Sequence, residues 1–465
     1  MGEAEIPFTL DRKSPASLSA QLANQLRSAV LGGILQPEQN LPATRRLAAE
    51  IGVSRGVVVR AFEQLSGEGF LESNGAGGTK VAIRPDIQNL PVKTKLPGLT
   101  SEAVGIINLA PGQPSGAPFR DREWRAAWKN AVSADVATHL PPVLGTHELR
   151  LAVAQHLAAS RGVAVDGDDV VITAGTSDGL QLIMAMLRER QGQNGRPRVL
   201  VEDPGYPTAR RVLAAAGAEL MTVPVDEDGL RSSQLDSLSG MPDAVLVTPS
   251  HQYPLGGRMT VQERLGLLSW ADENGVLVME DDYDSEFRHK RMPLPAIASL
   301  PSNADVVLLG TFSKNLSPWL RCGYVVVRGQ TGENLKQARA ALDTPVSGIL
   351  QSALAHYIQG GGLSRHISRA RREYAHRREL LIARLGDRPD IELAALDGGL
   401  HAVSRFAQPS AEVVAAEALR QGVKLVPLSG YYADRAADNG LVIGYGAVTD
   451  LQLARALDVL LSLLD

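Results

Sequence analysis

Residues 310–324 read Gly-Thr-Phe-Ser-Lys-Asn-Leu-Ser-Pro-Trp-Leu-Arg-Cys-Gly-Tyr, which sets Lys314 among hydroxyl side chains and seven residues before Arg321. A lysine amine can form a Schiff base with an aldehyde, and hydroxyls beside a guanidinium can hold a phosphate. An aldehyde and a phosphate on one small molecule describe pyridoxal phosphate (PLP). That cofactor needs a lysine, a partner for its pyridine nitrogen, a partner for its phenolic oxygen, a ring stacker and a phosphate cup.

Each need has a candidate. Lys314 is the Schiff-base residue. Asp281 follows the apolar run 276–280 and would keep the pyridine nitrogen protonated, preserving the ring as an electron sink. Tyr283, two residues on, can donate to the phenolic oxygen. Tyr206, in Glu202-Asp203-Pro204-Gly205-Tyr206-Pro207, can stack on the ring. Gly175-Thr176-Ser177 opens a helical pattern, whose first backbone N–H groups suit a phosphate. Thr311, Ser313 and Arg321 complete the cup with hydroxyls and a bidentate charge. Taken singly, these residues have ordinary readings: a surface lysine, a core tyrosine, and a solvated turn or cation site at 280–284. The order of the whole series is the specific signal.

The elements that must position them follow from periodicity. Apolar runs at Val170–Thr173, Val199–Glu202, Ala244–Thr248, Val276–Glu280 and Val306–Gly310 predict buried strands. Helical patterns such as 179–188 and 261–272 lie between them and imply parallel strands with crossovers. The expected fold is α/β with an open, mostly parallel sheet, which binds ligands at the ends of its strands. Residues 359–363 (Gln-Gly-Gly-Gly-Leu) interrupt a helical region that resumes as a basic stretch, Arg365 to Arg384.

The first residues read differently. Helical patterns at 17–32, 43–51 and 54–66, the last with Ser54 as N-cap, include a pair of helix-turn-helix dimensions joined at Gly52-Val53. Two short strands around residues 73–78 form a wing. The second helix of such a pair presents its N-terminal residues to base edges, which nominates Ser54, Arg55, Gly56 and Arg60. Thr44 and Arg45 would lie near phosphates, and Gly77 and Lys80 belong to the wing. The expected organisation is a winged helix-turn-helix head over 1–83, a Pro-rich linker over 84–106 and a large domain over 107–465. Basic and acidic side chains nearly balance in the head, and the whole chain carries −4, so DNA binding rests on pattern and not on charge.

Composition narrows the setting. The single cysteine, Cys322, leaves no internal disulfide and fits a reducing cytoplasm. No apolar run approaches the ~18 residues of a membrane span, and the acidic N-terminus does not read as a signal peptide.

Leu41-Pro42-Ala43-Thr44-Arg45-Arg46-Leu47-Ala48, followed by Val53-Ser54-Arg55 and Ala61–Leu65, resembles the winged heads of GntR-family regulators. Gly56-Val57 departs from the commoner Thr-Thr or Thr-Val. The series from Gly175 to Arg321 resembles the fold-type I aminotransferases. Pro249–Gly256, His366–Tyr374 and Gly398-Gly399-Leu400-His401 extend the likeness, and head and large domain together resemble the MocR/GabR-type regulators. The resemblance implies a head-to-tail, domain-swapped homodimer that binds an operator in double-stranded DNA, carries PLP on Lys314 and senses a small molecule. It places the protein in the cytoplasm, at the nucleoid when on DNA.

Three departures bear on mechanism. Val442 stands where aminotransferases carry the arginine that grips a substrate carboxylate. Tyr253 replaces the asparagine that meets the phenolic oxygen, and Leu140 replaces a tyrosine that reaches a neighbouring subunit's phosphate. Arg210, Arg211 and Arg435 are candidate substitutes for the missing anchor. Losing a charge-assisted partner costs about 1.5–3 kcal/mol, which disfavours efficient transamination. The expected function is a PLP-dependent transcription regulator whose effector is an amine, an amino acid or PLP itself. The alternatives are an active aminotransferase with an accessory head, and a relic fold serving only dimerisation.

Overall fold

The computed structural model describes residues 8–12, 14, 16–73, 78–82, 105–116, 121–134, 137–191, 195–289, 295–433 and 438–465. The chain divides into two compact units, Met1–Thr100 and Ser101–Asp465. Most of the expected linker, residues 83–104, and Gly77 of the wing lie outside the described residues.

The first unit holds α1 (Leu18–Leu31), β1 (Asn40–Leu41), α2 (Thr44–Glu50), α3 (Arg55–Gly67), β2 (Leu71–Ser73) and β3 (Thr79–Val81). Leu22, Leu26 and Val30 of α1 recur at helical spacing and bury against Val58, Phe62 and Leu65 of α3, with Leu71 and Val81 from the strands. Ser17 caps α1 by accepting from the Ala20 N–H. Ser54 takes the same extended backbone position before α3, yet its side chain makes no capping hydrogen bond. The cap read from sequence is there in the backbone only, and the hydroxyl stays exposed. The three strands pair antiparallel in the order β1-β3-β2.

The second unit opens with a short strand, β4 (Ile107–Asn108), and builds its centre from β5 (Val170–Thr173), β6 (Arg198–Asp203), β7 (Glu219–Pro224), β8 (Ala244–Val247), β9 (Leu277–Asp282), β10 (Val306–Thr311) and β11 (Gly323–Val326). They form one sheet in the order β5-β11-β10-β9-β8-β6-β7. All neighbours are parallel except β11, which runs antiparallel to both β10 and β5. Val171, Leu309 and Val325 face one core, while Val170, Leu308 and Val326 face another. Burial on both faces is why these strands read as continuous apolar runs.

With β11 alone reversed, β5, β6, β8, β9 and β10 all end at the same edge. A second, antiparallel sheet follows from β12 (Ile391–Ala394), β13 (His401–Phe406), β15 (Val426–Pro427) and β16 (Gly440–Gly444), in the order β12-β13-β16-β15. The remaining strand, β14 (Val423–Lys424), pairs with β4. No described helix is long and apolar enough to cross a membrane.

Candidate functional site

At the shared strand edge lies a cavity of about 130 Å³, lined by Thr176, Ser177, Tyr206, Thr248, Tyr253, Asp281, Tyr283, Thr311, Ser313, Lys314, Pro318 and Arg321. The fold thus gathers every side chain proposed for the cofactor. Gly175 turns behind them at φ 95°, where a Cβ would stand 3.8 Å from the Arg321 guanidinium.

Lys314 follows β10, and its Nζ donates to the Gly112 carbonyl at 2.8 Å. Burial lowers the affinity of this amine for its proton, against the opposing pull of Asp281 and Asp284. A neutral amine is the nucleophilic form. Asp281 is 4% exposed and its Oδ1 has no hydrogen-bond partner among the described residues. Burial, with the neighbouring Asp282, pushes its carboxyl up to about 7.

An orphaned carboxylate oxygen facing a cavity calls for a ligand N–H. The protonated pyridine nitrogen of PLP supplies one. A phosphate would meet the N-terminus of the sixteen-residue helix Thr176–Gln191, joined by Thr311, Ser313 and Arg321. Arg321 adopts a left-handed backbone at φ 44°, which is unusual for a non-glycine residue and common at ligand clamps. The residues present fit PLP.

Pro318, Thr248 and Gly112 escaped the sequence reading. Thr248 lines the cavity beside Glu202, whose carboxylate accepts from the Thr248 hydroxyl at 2.5 Å. Its position at the end of a predicted strand was the available signal. Gly112 had none, being 202 residues from the lysine it meets. Its φ is +76°, and a Cβ there would lie 2.4 Å from Lys314 Nζ. Gly112→Ala therefore strains the backbone and displaces the amine. Cofactor affinity is expected to fall at least about tenfold, the equivalent of ~1.4 kcal/mol, in a fluorescence or absorbance titration with PLP.

Behind Tyr253 and Tyr283 the cavity lining is backed by an apolar cluster. Val442 of β16 is fully buried and packs in a cluster with Tyr253, Leu428 and Tyr431. The Tyr253 and Tyr431 rings meet edge to face at 5.4 Å between centroids. Arg210, a candidate replacement anchor, is committed elsewhere: its guanidinium donates to the Tyr431 carbonyl at 2.7 Å and the Tyr432 carbonyl at 3.3 Å. Arg211 is exposed and donates to Thr208. Arg435 lies outside the described residues. Leu140 is 69% exposed, as is Trp319 at 92%.

In the first unit, Arg45, Ser54, Arg55, Gly56 and Arg60 are all exposed around the start of α3 and α2, and Thr44 is half-buried, 3.4 Å from Arg55 Nε. Arg45 and Arg60 form no ion pair among the described residues. Lys80 is more engaged, with Glu38 at 2.7 Å and Glu72 at 3.0 Å. It would have to exchange these partners to meet a phosphate.

Residues 104–460 match the family described as aminotransferase class I and II, and residues 18–81 match bacterial regulatory proteins of the gntR family. The chain is 40% identical over 447 residues to the HTH-type pyridoxine biosynthesis transcriptional regulator PdxR of Corynebacterium glutamicum, across 96% of this chain and 95% of that one. It is 33% identical over 464 residues to the "Probable rhizopine catabolism regulatory protein MocR" of Rhizobium meliloti, across 95% and 92%. Among solved structures it is similar to LysN, an alpha-aminoadipate aminotransferase from Thermus thermophilus complexed with N-(5'-phosphopyridoxyl)-L-leucine. That likeness has a TM-score of 0.67 at 27% identity and covers 77% of this chain and 94% of that one.

Proposed function

The chain belongs to the MocR-type transcription regulators, which join a GntR-type DNA-binding head to a class I and II aminotransferase domain, and from that premise we propose that the signal it senses is PLP itself. The observation that carries this reading is the buried Val442 in place of a carboxylate anchor, with Arg210 spent on backbone carbonyls. A site with a phosphate cup and ring contacts, but no second anion clamp among the described residues, favours the cofactor over an amino acid. The name of the 40% identical relative, a regulator of pyridoxine biosynthesis, supports the same reading.

In this proposal PLP, when bound, supplies an electrophilic aldehyde and an electron-withdrawing ring. Lys314 holds it covalently, Asp281 its pyridine nitrogen, Tyr283 and Tyr253 its phenolic oxygen, and Tyr206 its ring face. Gly175, Thr176, Ser177, Thr311, Ser313 and Arg321 hold the phosphate. The head spans 1–83, the linker 84–106 and the sensing domain 107–465. A head-to-tail, domain-swapped homodimer in the cytoplasm carries two heads to an operator, and the exposed Trp319 and Leu140 support such pairing. Occupancy shifts the dimer between arrangements that space the heads differently on DNA. The test is operator binding by purified protein with PLP and with a panel of amines and amino acids. An affinity that PLP leaves unchanged, while an amine alters it, overturns the choice of effector. The retained Lys314 and Asp281 favour a second reading, an active aminotransferase, which steady turnover of amino groups would reveal.

On DNA, Ser54, Arg55, Gly56 and Arg60 face bases, Thr44 and Arg45 face phosphates, and Gly77 and Lys80 act from the wing. Arg55→Ala is expected to cost about 1–3 kcal/mol of operator affinity, roughly ten- to a hundredfold. A gel-shift titration would read it, with absorbance confirming that PLP is still bound.

A further inference from the structure

Parts of three sequence motifs remain without a role: His251 of Pro249–Gly256, Asp284 at the end of the acidic turn after β9, and Gly399 of Gly398–His401. The fold brings them together behind Tyr283. His251 Nδ1 lies 2.9 Å from Asp284 Oδ2 and 3.0 Å from the Tyr283 hydroxyl, which is also 3.0 Å from the His251 carbonyl. His251 and Asp284 are buried, and His251 Nε2 and Asp284 Oδ1 have no hydrogen-bond partner among the described residues. Gly399 closes the group from above at φ +76°. A Cβ there would stand 2.5 Å from both Asp284 Oδ2 and His251 Cε1.

Proton accounting fixes the direction of these bonds. A carboxylate only accepts, so Asp284 requires a hydrogen on His251 Nδ1. Tyr283 then cannot give its proton to that nitrogen; its oxygen can only receive from it. The one acceptor left for the phenolic proton among the described residues is the His251 carbonyl, a neutral group. An anionic phenolic oxygen on a ligand is a stronger acceptor than a neutral carbonyl. An N–H donating into the tyrosine oxygen also strengthens its O–H as a donor.

We propose that His251, oriented by Asp284, is the positioning residue for Tyr283 and directs its phenolic proton to the phenolic oxygen of bound PLP. The inference rests on the cofactor assignment and adds to it a residue outside the cavity lining. It predicts a spectroscopic effect. With PLP held on Lys314, a protonated Lys314 nitrogen would itself donate to the cofactor's phenolic oxygen. The Tyr283 proton therefore stabilises mainly the unprotonated form, and weakening it raises the pH at which the visible band titrates.

The experiment is a pH titration of the absorbance of the full-length, PLP-loaded protein. His251→Leu is expected to raise the midpoint by about one unit, and Tyr283→Phe by at least as much. His251→Asn, which restores an N–H near the position of Nδ1, should keep the wild-type midpoint. In the Tyr283→Phe background, His251→Leu should add no further shift, because its effect runs through the missing hydroxyl. The other titratable and charged groups around the pair among the described residues are Glu202, Tyr253, Asp281, Arg288, His289, Lys314, His401 and Tyr445, and all are unchanged in these variants. An unshifted midpoint in His251→Leu, or an equal shift with and without the Tyr283 hydroxyl, overturns the inference alone. A wild-type protein with no visible band after incubation with PLP overturns the cofactor assignment and this inference with it.

Discussion

Lys314→Ala should give protein that folds and binds operator DNA but has no visible absorbance from covalently held PLP. Its operator affinity should no longer change when PLP is added. Two features make this the largest effect expected. The amine is the only lysine nitrogen lining the cavity among the described residues, and burial biases it toward the neutral form that attacks an aldehyde. Removing it leaves the phosphate cup and Asp281, so weak non-covalent binding is expected to persist at high PLP. The decisive comparison is a PLP titration of operator binding by both proteins. A variant that still responds at the wild-type PLP concentration would show that the covalent bond is not part of sensing.

Asp281→Asn should separate stability from cofactor binding. Burial and Asp282 raise the Asp281 carboxyl from its ordinary value near 3.8 to about 7. A group whose folded-state value is raised stabilises fully below its unfolded value, and that contribution is lost as pH climbs through the folded value. Cofactor-free wild type should therefore lose stability between about pH 4 and pH 7 on account of this residue. The asparagine variant lacks that titration. At pH 8 it should be more stable without cofactor by about 1–3 kcal/mol, since no uncompensated carboxylate is buried. Glu202, pushed up to about 7 by burial, continues to titrate in both proteins.

PLP reverses the balance, because a protonated pyridine nitrogen favours the carboxylate. The rise in melting temperature on adding PLP should grow with pH in wild type over the same window. In Asp281→Asn, PLP affinity should drop more than about tenfold at neutral pH, the loss of one charge-assisted hydrogen bond. Thermal melts at pH 5, 6, 7 and 8 with and without PLP test all three statements. A variant less stable than wild type at pH 8 without PLP would refute the electrostatic account.

The strands carrying the site were legible because burial on both faces writes them as unbroken apolar runs; Val170–Thr173 has the same bounds in the structure. β7 is half-buried and carries Glu219 and Thr222, so its run is interrupted. β11 begins with Gly323-Tyr324 directly after the Arg321 turn, and in the second sheet β13 pairs with β16 far along the chain while β12 meets β13 across the short connection 395–400. At the site, Lys314, Asp281, Tyr206 and Thr176 each lie at or just beyond the end of a strand, a position visible in one dimension. Gly112 beside Lys314, and His251 between Tyr283 and Asp284, become neighbours only through the fold. The commitment of the candidate anchor Arg210 was hidden because two of its acceptors, the carbonyls of Tyr431 and Tyr432, are 221 and 222 residues away.

Because β11 runs back along β10, Lys314 and Arg321 occupy a single excursion whose two ends are already tied, Thr311 opposite Gly323. A ligand gripped at both positions cross-links a loop whose closure entropy folding has already absorbed. The tethers proposed for PLP thus travel with the seven-stranded sheet, whereas Val442 and Tyr431 belong to the C-terminal part of the unit, Val442 on its four-stranded sheet. Tyr431 meets the pocket lining at the Tyr253 ring, so a shift of that C-terminal part would reach the pocket through Tyr253 while the proposed tethers stay in place, and retention of a ligand and transmission of its presence would run through different parts of the unit.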